Sequence, residues 1–272
     1  MQEANLFTFF FYLLSMAAYI AYLFFQHDRL QKIGYLLMLT GFVSHSLSLL
    51  LGYFTTGFFP GHNLYQTLLI AGWAFTGVFL LFQYRFNLKI LGVYAAPLAT
   101  VIMAVCLRAP EPAENVAVFF KSFWLFFHVI TIFLGNAAFA LACGIGVLYL
   151  IQEHNIKTKH RGFFFRRLPS LDLLDSTGHG CIIAGFTLLT IGLVAGILYA
   201  KAIWGRFWSW DVKEVWSGIM WLFYAALLHE RLTVGWRGRK AAVMSIIGFM
   251  VLLFTFFGVN FLLGGHHGDF TR

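Results

Sequence analysis

About eight apolar runs, each long enough to cross roughly 30 Å of hydrocarbon as a helix and nearly free of charge, constrain this chain more than any other feature. They fall at residues 6–25, 34–53, 64–82, 88–107, 119–151, 181–200, 215–228 and 241–263. Backbone N–H and C=O groups find no water inside lipid. Such segments must therefore be helices, because they lack the short alternating pattern of a barrel strand. The expected fold is all-α and polytopic, a single transmembrane domain over residues 1–272 with no stretch left for a separate soluble domain.

Orientation follows from the basic residues, which stay on the cytoplasmic side during insertion. One set of loops holds Arg29, Lys32, Arg85, Lys89, Lys157, Lys159, Arg161, Arg166, Arg167, Arg231, Arg237, Arg239 and Lys240. The other set holds Arg108, Lys121, Lys201, Arg206, Lys213 and Arg272. Both termini are thus expected outside. Met1-Gln2-Glu3 carries no basic leader region, and the first apolar run is expected to be retained. With 60% hydrophobic and 11% charged residues, the net charge of +8 is a topology signal and an attraction to anionic lipid. It is not a nucleic-acid footprint, since no basic patch with interleaved aromatics is present.

Cys106, Cys143 and Cys181 stand singly in or beside apolar runs, as small packing residues do. No Cys-x-x-Cys pair offers a redox or zinc site, and no Cys-x-x-Cys-His offers covalent haem attachment to this chain.

Two connections stand out. The inner one, residues 152–180, contains Leu168-Pro169-Ser170-Leu171-Asp172-Leu173-Leu174-Asp175 and predicts a short interfacial helix. The outer segment, residues 201–216, packs Trp204, Phe207, Trp208 and Trp210 around Arg206. An interfacial aromatic belt accounts for single tryptophans but does not require such density. Asp211, three residues before Glu214, suits the N-cap of the seventh span, a role that stands beside direct contact with a ligand.

Ten histidines are present. His27, His154, His160 and His179 fall in inner loops and His62 in an outer one, positions that suit solvated side chains. His128 lies in the outer part of the fifth span, where an ionisable group needs a partner. His266 and His267 follow the last span at the same level, beside Gly264 and Gly265. Either imidazole alone could simply bond a neighbouring helix. Two of them beside a flat aromatic surface match what haem requires, axial nitrogens and a stacking face. His45 and His229 form a second, deeper pair, about 12 Å and about 21 Å below the outer ends of their runs at 1.5 Å per residue.

At these residues the chain resembles the CcsA/ResC family of system II cytochrome c assembly proteins, which carry a tryptophan-rich WWD domain. The family's Trp-Gly-x-x-Trp-x-Trp-Asp-x-Lys-Glu matches residues 204–214, continuing through Trp216, Trp221, Tyr224 and His229. Its outer histidines fall on His128 and His267, with His266 as the alternative, and its Pro-x-x-Asn-Leu-Tyr on residues 60–65. Val212 stands where the family has Pro, Gln66 where it has Glu, and His266-His267-Gly-Asp where it has Leu-His-Ser-Tyr.

The resemblance implies non-covalent haem b in transit, held outside by His128 and His267 against Trp204, Trp208, Trp210, Asp211 and Arg206. It implies a transmembrane site at His229 and His45. It further implies part of a cytochrome c haem lyase complex in a bacterial inner membrane. There, with a CcsB/ResB-like partner, thioethers form on apocytochrome c Cys-x-x-Cys-His motifs. HemX-like haem-binding membrane proteins without ligation activity share this architecture, and a haem exporter that delivers its cargo without joining it to anything is the rival function.

Overall fold

The computed structural model describes residues 2–56, 63–109, 123–159 and 162–258. Among them lie eight α-helices and no strand. They are α1 (Gln2–Phe25), α2 (Asp28–Thr56), α3 (Leu64–Phe86), α4 (Leu91–Cys106), α5 (Phe123–Lys157), α6 (Leu171–Trp204), α7 (Val212–Thr233) and α8 (Arg239–Leu253). A π turn, Phe254–Gly258, continues α8. Each expected apolar run contains one of these helices among its described residues, and the chain is a multi-pass membrane protein. Six helices are long and apolar enough to cross a bilayer. Of the other two, α4 is apolar but has only 16 residues, about 24 Å. The 22-residue α7 carries Lys213, Glu214, Glu230 and Arg231 near its ends.

The inner connection differs from expectation. Leu171 to Asp175 do not form a separate interfacial helix but are the first turns of α6, which runs unbroken for 34 residues. Pro169 stands two residues before that start, where its fixed φ and missing N–H cost nothing.

The helices divide into two compact units. In the first, α1 through α4 make a four-helix cluster in which α1 lies between α2 and α4, and α3 touches both α4 and α2. The α1–α2 seam has a 3,4 spacing on both sides. The buried residues of α1 are Asn5, Thr8, Tyr12, Ser15, Tyr19 and Tyr22, and those of α2 are Gln31, Gly34, Met38, Gly41, His45 and Ser48. That 3.5-residue repeat is the geometry of knobs-into-holes packing. Large α1 tyrosines fill notches left by glycines: a Cβ on Gly41 would meet the Tyr12 ring at 2.6 Å, and one on Gly34 the Tyr19 ring at 2.9 Å. Segment 151–170 belongs to this unit. Its Arg167 caps α1, donating from Nε to the Leu23 carbonyl at 2.7 Å and from a terminal nitrogen to the Phe24 carbonyl at 3.0 Å. A cation at a helix C-terminus satisfies carbonyls that have no partner within the helix.

The second unit takes α5 up to residue 150 and α6 through α8. The α5–α6 interface is built on small residues, which let backbones approach where lipid supplies no hydrophobic drive. A Cβ on Gly135 would lie 3.0 Å from the Gly185 carbonyl oxygen, and one on Gly185 would lie 2.6 Å from the Phe139 ring. Phe139 stacks on Tyr224 of α7 at 3.5 Å between centroids, a face contact worth about 1 kcal/mol beyond its area. At the other end of α7, Arg231 makes a two-pronged bond to Asp175 of α6, at 2.6 and 3.0 Å. Asp175 also accepts from the Gly238 N–H at 2.8 Å, so one carboxylate ties α6, α7 and the turn before α8.

Truncation of Asp175 to Ala leaves the Arg231 guanidinium, whose side chain is 12% exposed, without its counter-charge. We expect a loss of about 3 kcal/mol. Thermal unfolding in detergent checks this, with Asp28→Ala as control: its pair with Lys89 is exposed and its loss leaves the transition in place.

Candidate functional site

The second unit carries the histidine that the structure defines best. His128 sits in the second turn of α5, and its ring lies over Gly196 of α6, while Gly192, one turn away, faces Thr131 and Ile132. A Cβ on Gly196 would fall 2.7 Å from Nδ1, so no larger residue fits there without moving the ring. Nδ1 lies 2.7 Å from the Gly192 carbonyl oxygen. A carbonyl only accepts, so Nδ1 carries the proton and donates it. In the neutral ring Nε2 then holds the free lone pair. This arrangement, one imidazole nitrogen held by a backbone carbonyl and the other left as a donor for metal, is the one that orients metal-ligating histidines.

Above this ring along α6, eight residues or about 12 Å from Gly196, the helix ends at Trp204. Gly205 takes φ +73° and turns the chain out of the helix. Trp204, Phe207 and Trp210 are half or more exposed, and Trp208 is 36% exposed. Trp208 and Trp210 meet edge to face at 6.0 Å, and Trp204 packs edge-on against Tyr199 at 5.8 Å. The loop is held from beneath. Lys201 donates to the Gly205 carbonyl at 2.8 Å and lies 5.0 Å from the Phe207 ring, while the Trp208 ring tip approaches Gly218 of α7. Arg206 has an exposed side chain.

Asp211 occupies the N-cap position of α7 with extended backbone, as the sequence implies, but its side chain makes no capping bond. Glu214 reaches two residues further back than a capping box does, accepting from Ser209 N–H at 2.7 Å and from its hydroxyl at 2.9 Å. This clamp closes the loop over Trp210, which is forced to φ +59°. A left-handed backbone costs a bulky residue about 1–2 kcal/mol. The strain turns a 79% exposed indole outward. Below the loop, Trp216 contacts Phe254, and the Trp221 indole N–H donates to the Thr190 hydroxyl at 2.9 Å.

The remaining histidines are placed differently. His229 is exposed on the last turns of α7. His45 belongs to the first unit, fully buried, with Nδ1 3.2 Å from the Tyr12 hydroxyl. His62, His160, His266 and His267 lie outside the described residues. No cluster of three or more His, Cys, Asp or Glu with metal-binding geometry occurs among the described residues. The three cysteines are buried and unpaired. Sequence spacing did not single out Gly192 and Gly196, although their Gly-x-x-x-Gly pattern in an apolar helix marks a surface that another element approaches closely.

A helical membrane protein with an imidazole notch under an exposed tryptophan loop matches one family model over residues 61–267: this chain belongs to the cytochrome c assembly protein family. Within it, the chain is similar to cytochrome c biogenesis protein CcsA. It is 32% identical to that of Guillardia theta over 97% of this chain and 94% of the relative. It is 36% identical to that of Prochlorococcus marinus strain MIT 9301 over 82% and 79%. Among solved structures, cytochrome c haem lyase CcmF has the same fold, with a TM-score of 0.65 at 17% identity, over 98% of this chain and 47% of that one. The chain is a membrane component of cytochrome c biogenesis.

If strain in the loop serves display of the Trp210 ring, Trp210→Gly relieves it and offsets the entropy that glycine adds, leaving stability within about 0.5 kcal/mol. Trp208→Gly, which removes a ring packed on α7, lowers the unfolding temperature. Thermal unfolding of the two variants in parallel checks the contrast.

Proposed function

We propose that this protein binds haem non-covalently and presents it on the tryptophan loop for covalent attachment to apocytochrome c. The observation that carries this reading is the His128 imidazole, held at Nδ1 by the Gly192 carbonyl so that in the neutral ring the lone pair falls on Nε2. A neutral Nε2 lone pair is the donor that haem iron takes.

Haem supplies the iron and the two vinyl groups to which cysteine thiols of a Cys-x-x-Cys-His motif add. The chain supplies position. His128 would hold the iron through Nε2, because its ring rests on Gly196 and is bonded to the Gly192 carbonyl. The exposed faces of Trp204, Trp208 and Trp210 offer flat apolar area to a planar ligand. Arg206 is the exposed guanidinium placed to meet carboxylates, whereas Lys201 is engaged with its own loop. Glu214 sets the loop's shape through Ser209, and Asp211, whose carboxylate caps no helix N–H, contacts haem beside the rings in this reading. Orientation within 0.5–1 Å contributes most of what such a protein adds to a reaction whose chemistry belongs to the ligand.

His267 completes the outer pair in this reading, and His229 is a ligand of haem on its way outward. The displaying side is extracytoplasmic in a bacterial inner membrane, and a CcsB/ResB-type membrane partner grips the apocytochrome. These assignments rest on the residue matches to the family pattern and on the loop geometry.

Expression with the membrane partner and a Cys-x-x-Cys-His reporter tests the reading. Wild type should purify with low-spin haem and place covalent haem on the reporter. His128→Ala should lose at least tenfold of both, with added imidazole restoring the spectrum. An unchanged spectrum in His128→Ala removes the site. Haem bound normally with no covalent product would instead make the chain a haem carrier without attachment activity.

A further inference from the structure

Residues 162–168, in the connection after α5, fold against the end of α1, and haem display makes no use of them. All three nitrogens of Arg167 are engaged in holding them there. Beyond its bonds to the Leu23 and Phe24 carbonyls, it donates to the Phe163 carbonyl at 2.9 Å, and its guanidinium lies 3.8 Å from the Phe163 ring centroid. Phe163 in turn meets Phe24 of α1 at 5.5 Å and Phe164 edge to face at 5.2 Å. This ring cluster is not a core, since Phe24 is 56%, Phe163 39% and Phe164 42% exposed. The apolar span of α1 ends at Phe25, which puts the rings at the rim of the hydrocarbon.

Around the rings the charge is of one sign. Arg166 and Lys159, which bracket the phenylalanines in sequence, are exposed, and neither side chain bonds to any described residue. Arg29 and Lys32 of the first turns of α2 and Arg85 of the last turn of α3 are exposed at the same end of the unit. The ion pair from Lys89 to Asp28, at 2.8 Å, joins the α3–α4 turn to the start of α2 there. The acids among the described residues at this end, Asp28 and Glu153, are each already paired with a lysine. The remaining cations therefore have no counter-charge within the described part of the unit.

We propose that this surface is a binding site for one anionic phospholipid, its phosphate against Arg166 and Lys159 and its acyl chains against Phe24, Phe163 and Phe164. Lys and Arg clustered at the end of a membrane helix are the chemistry that recognises anionic headgroups, and a guanidinium meets phosphate through paired N–H groups. The exposed rings select the lipid over free phosphate, which has no use for apolar area. Their depth selects it over an acidic peptide, which would lie in water beyond the end of α1. Arg167 is the positioning residue: it is spent on the turn and leaves Arg166 as the cation that meets the headgroup. The interfacial role that the sequence suggests for the stretch from Leu168 to Asp175 thus falls to the turn before it. Every residue of the site belongs to the first unit, so it stands independently of the haem reading.

The test is native mass spectrometry of the purified full chain in detergent, titrated with phosphatidylglycerol or with phosphatidylcholine of the same acyl chains. Wild type should bind phosphatidylglycerol with a Kd about fivefold or more below that of phosphatidylcholine. Arg166→Gln should raise the Kd for phosphatidylglycerol about fivefold, the weight of one cation at an anionic headgroup, and leave phosphatidylcholine unchanged. Phe164→Ser should weaken both lipids. Lys32→Gln, a cation of the same face away from the rings, should bind like wild type, and equal elution profiles establish that all variants are folded. Inorganic phosphate at the lipid's own concentration should displace nothing. Equal affinity for the two lipids, no effect of Arg166→Gln, or an equal loss in Lys32→Gln, which would mean diffuse charge in place of a site, overturns the proposal. So does saturable binding of polyglutamate without preference for phosphatidylglycerol, which would make an acidic protein the occupant.

Discussion

Inside a bilayer a polar group must find its partner within the protein, and that requirement shapes both units. Apolar side chains are free to face outward because lipid accepts them. What has to be placed with care is every hydroxyl, amide, imidazole and charge. The results are visible at each level. Asp175 gathers Arg231 and the Gly238 N–H. Arg167 takes the last carbonyls of α1. The buried seam of α1 is polar along its length. His128 belongs to the same rule: an imidazole in an apolar helix is tolerated because α6 supplies a carbonyl at 2.7 Å.

That bond also explains why the site is specific. By accepting the hydrogen bond from Nδ1–H, the Gly192 carbonyl favours one tautomer, and with it which nitrogen faces a ligand. Gly196 makes room for the ring. The tryptophan loop is shaped by the same economy of backbone. Gly205 ends α6, Glu214 holds Ser209, and Trp210 accepts a left-handed backbone so that its indole stands outside. Rings that were satisfying a core would not need a strained support.

Most helices were legible because charge-free length is a strong signal, and the six long apolar helices follow from it directly. Two failures have physical causes. Residues 171–175 carry Asp172 and Asp175 amid leucines, a pattern shared by an interfacial helix and by the first turns of a membrane helix. What decides between them is the tertiary bond from Asp175 to Arg231, 56 residues away. The 3,4 stripe of Asn5, Thr8, Tyr12, Ser15, Tyr19 and Tyr22 was equally present in the letters. It was hidden because an apolar run is judged by its average, and the surrounding leucines and phenylalanines dominate that average. For the site, residue types located His128 and the tryptophans, but the Gly196 notch and the Gly192 carbonyl that orient the imidazole became evident only once α5 and α6 were side by side.

The central claim is that Nε2 of His128 is an iron ligand whose opposite nitrogen stays bonded to the Gly192 carbonyl. A cryo-electron microscopy structure of the haem-loaded protein tests it most directly. The account requires the iron on the Nε2 side of the ring, with Nδ1 still within hydrogen-bond distance of Gly192 and a tryptophan face against the porphyrin. Iron bound elsewhere, with the His128 ring still seated on α6 and facing no ligand, would contradict it.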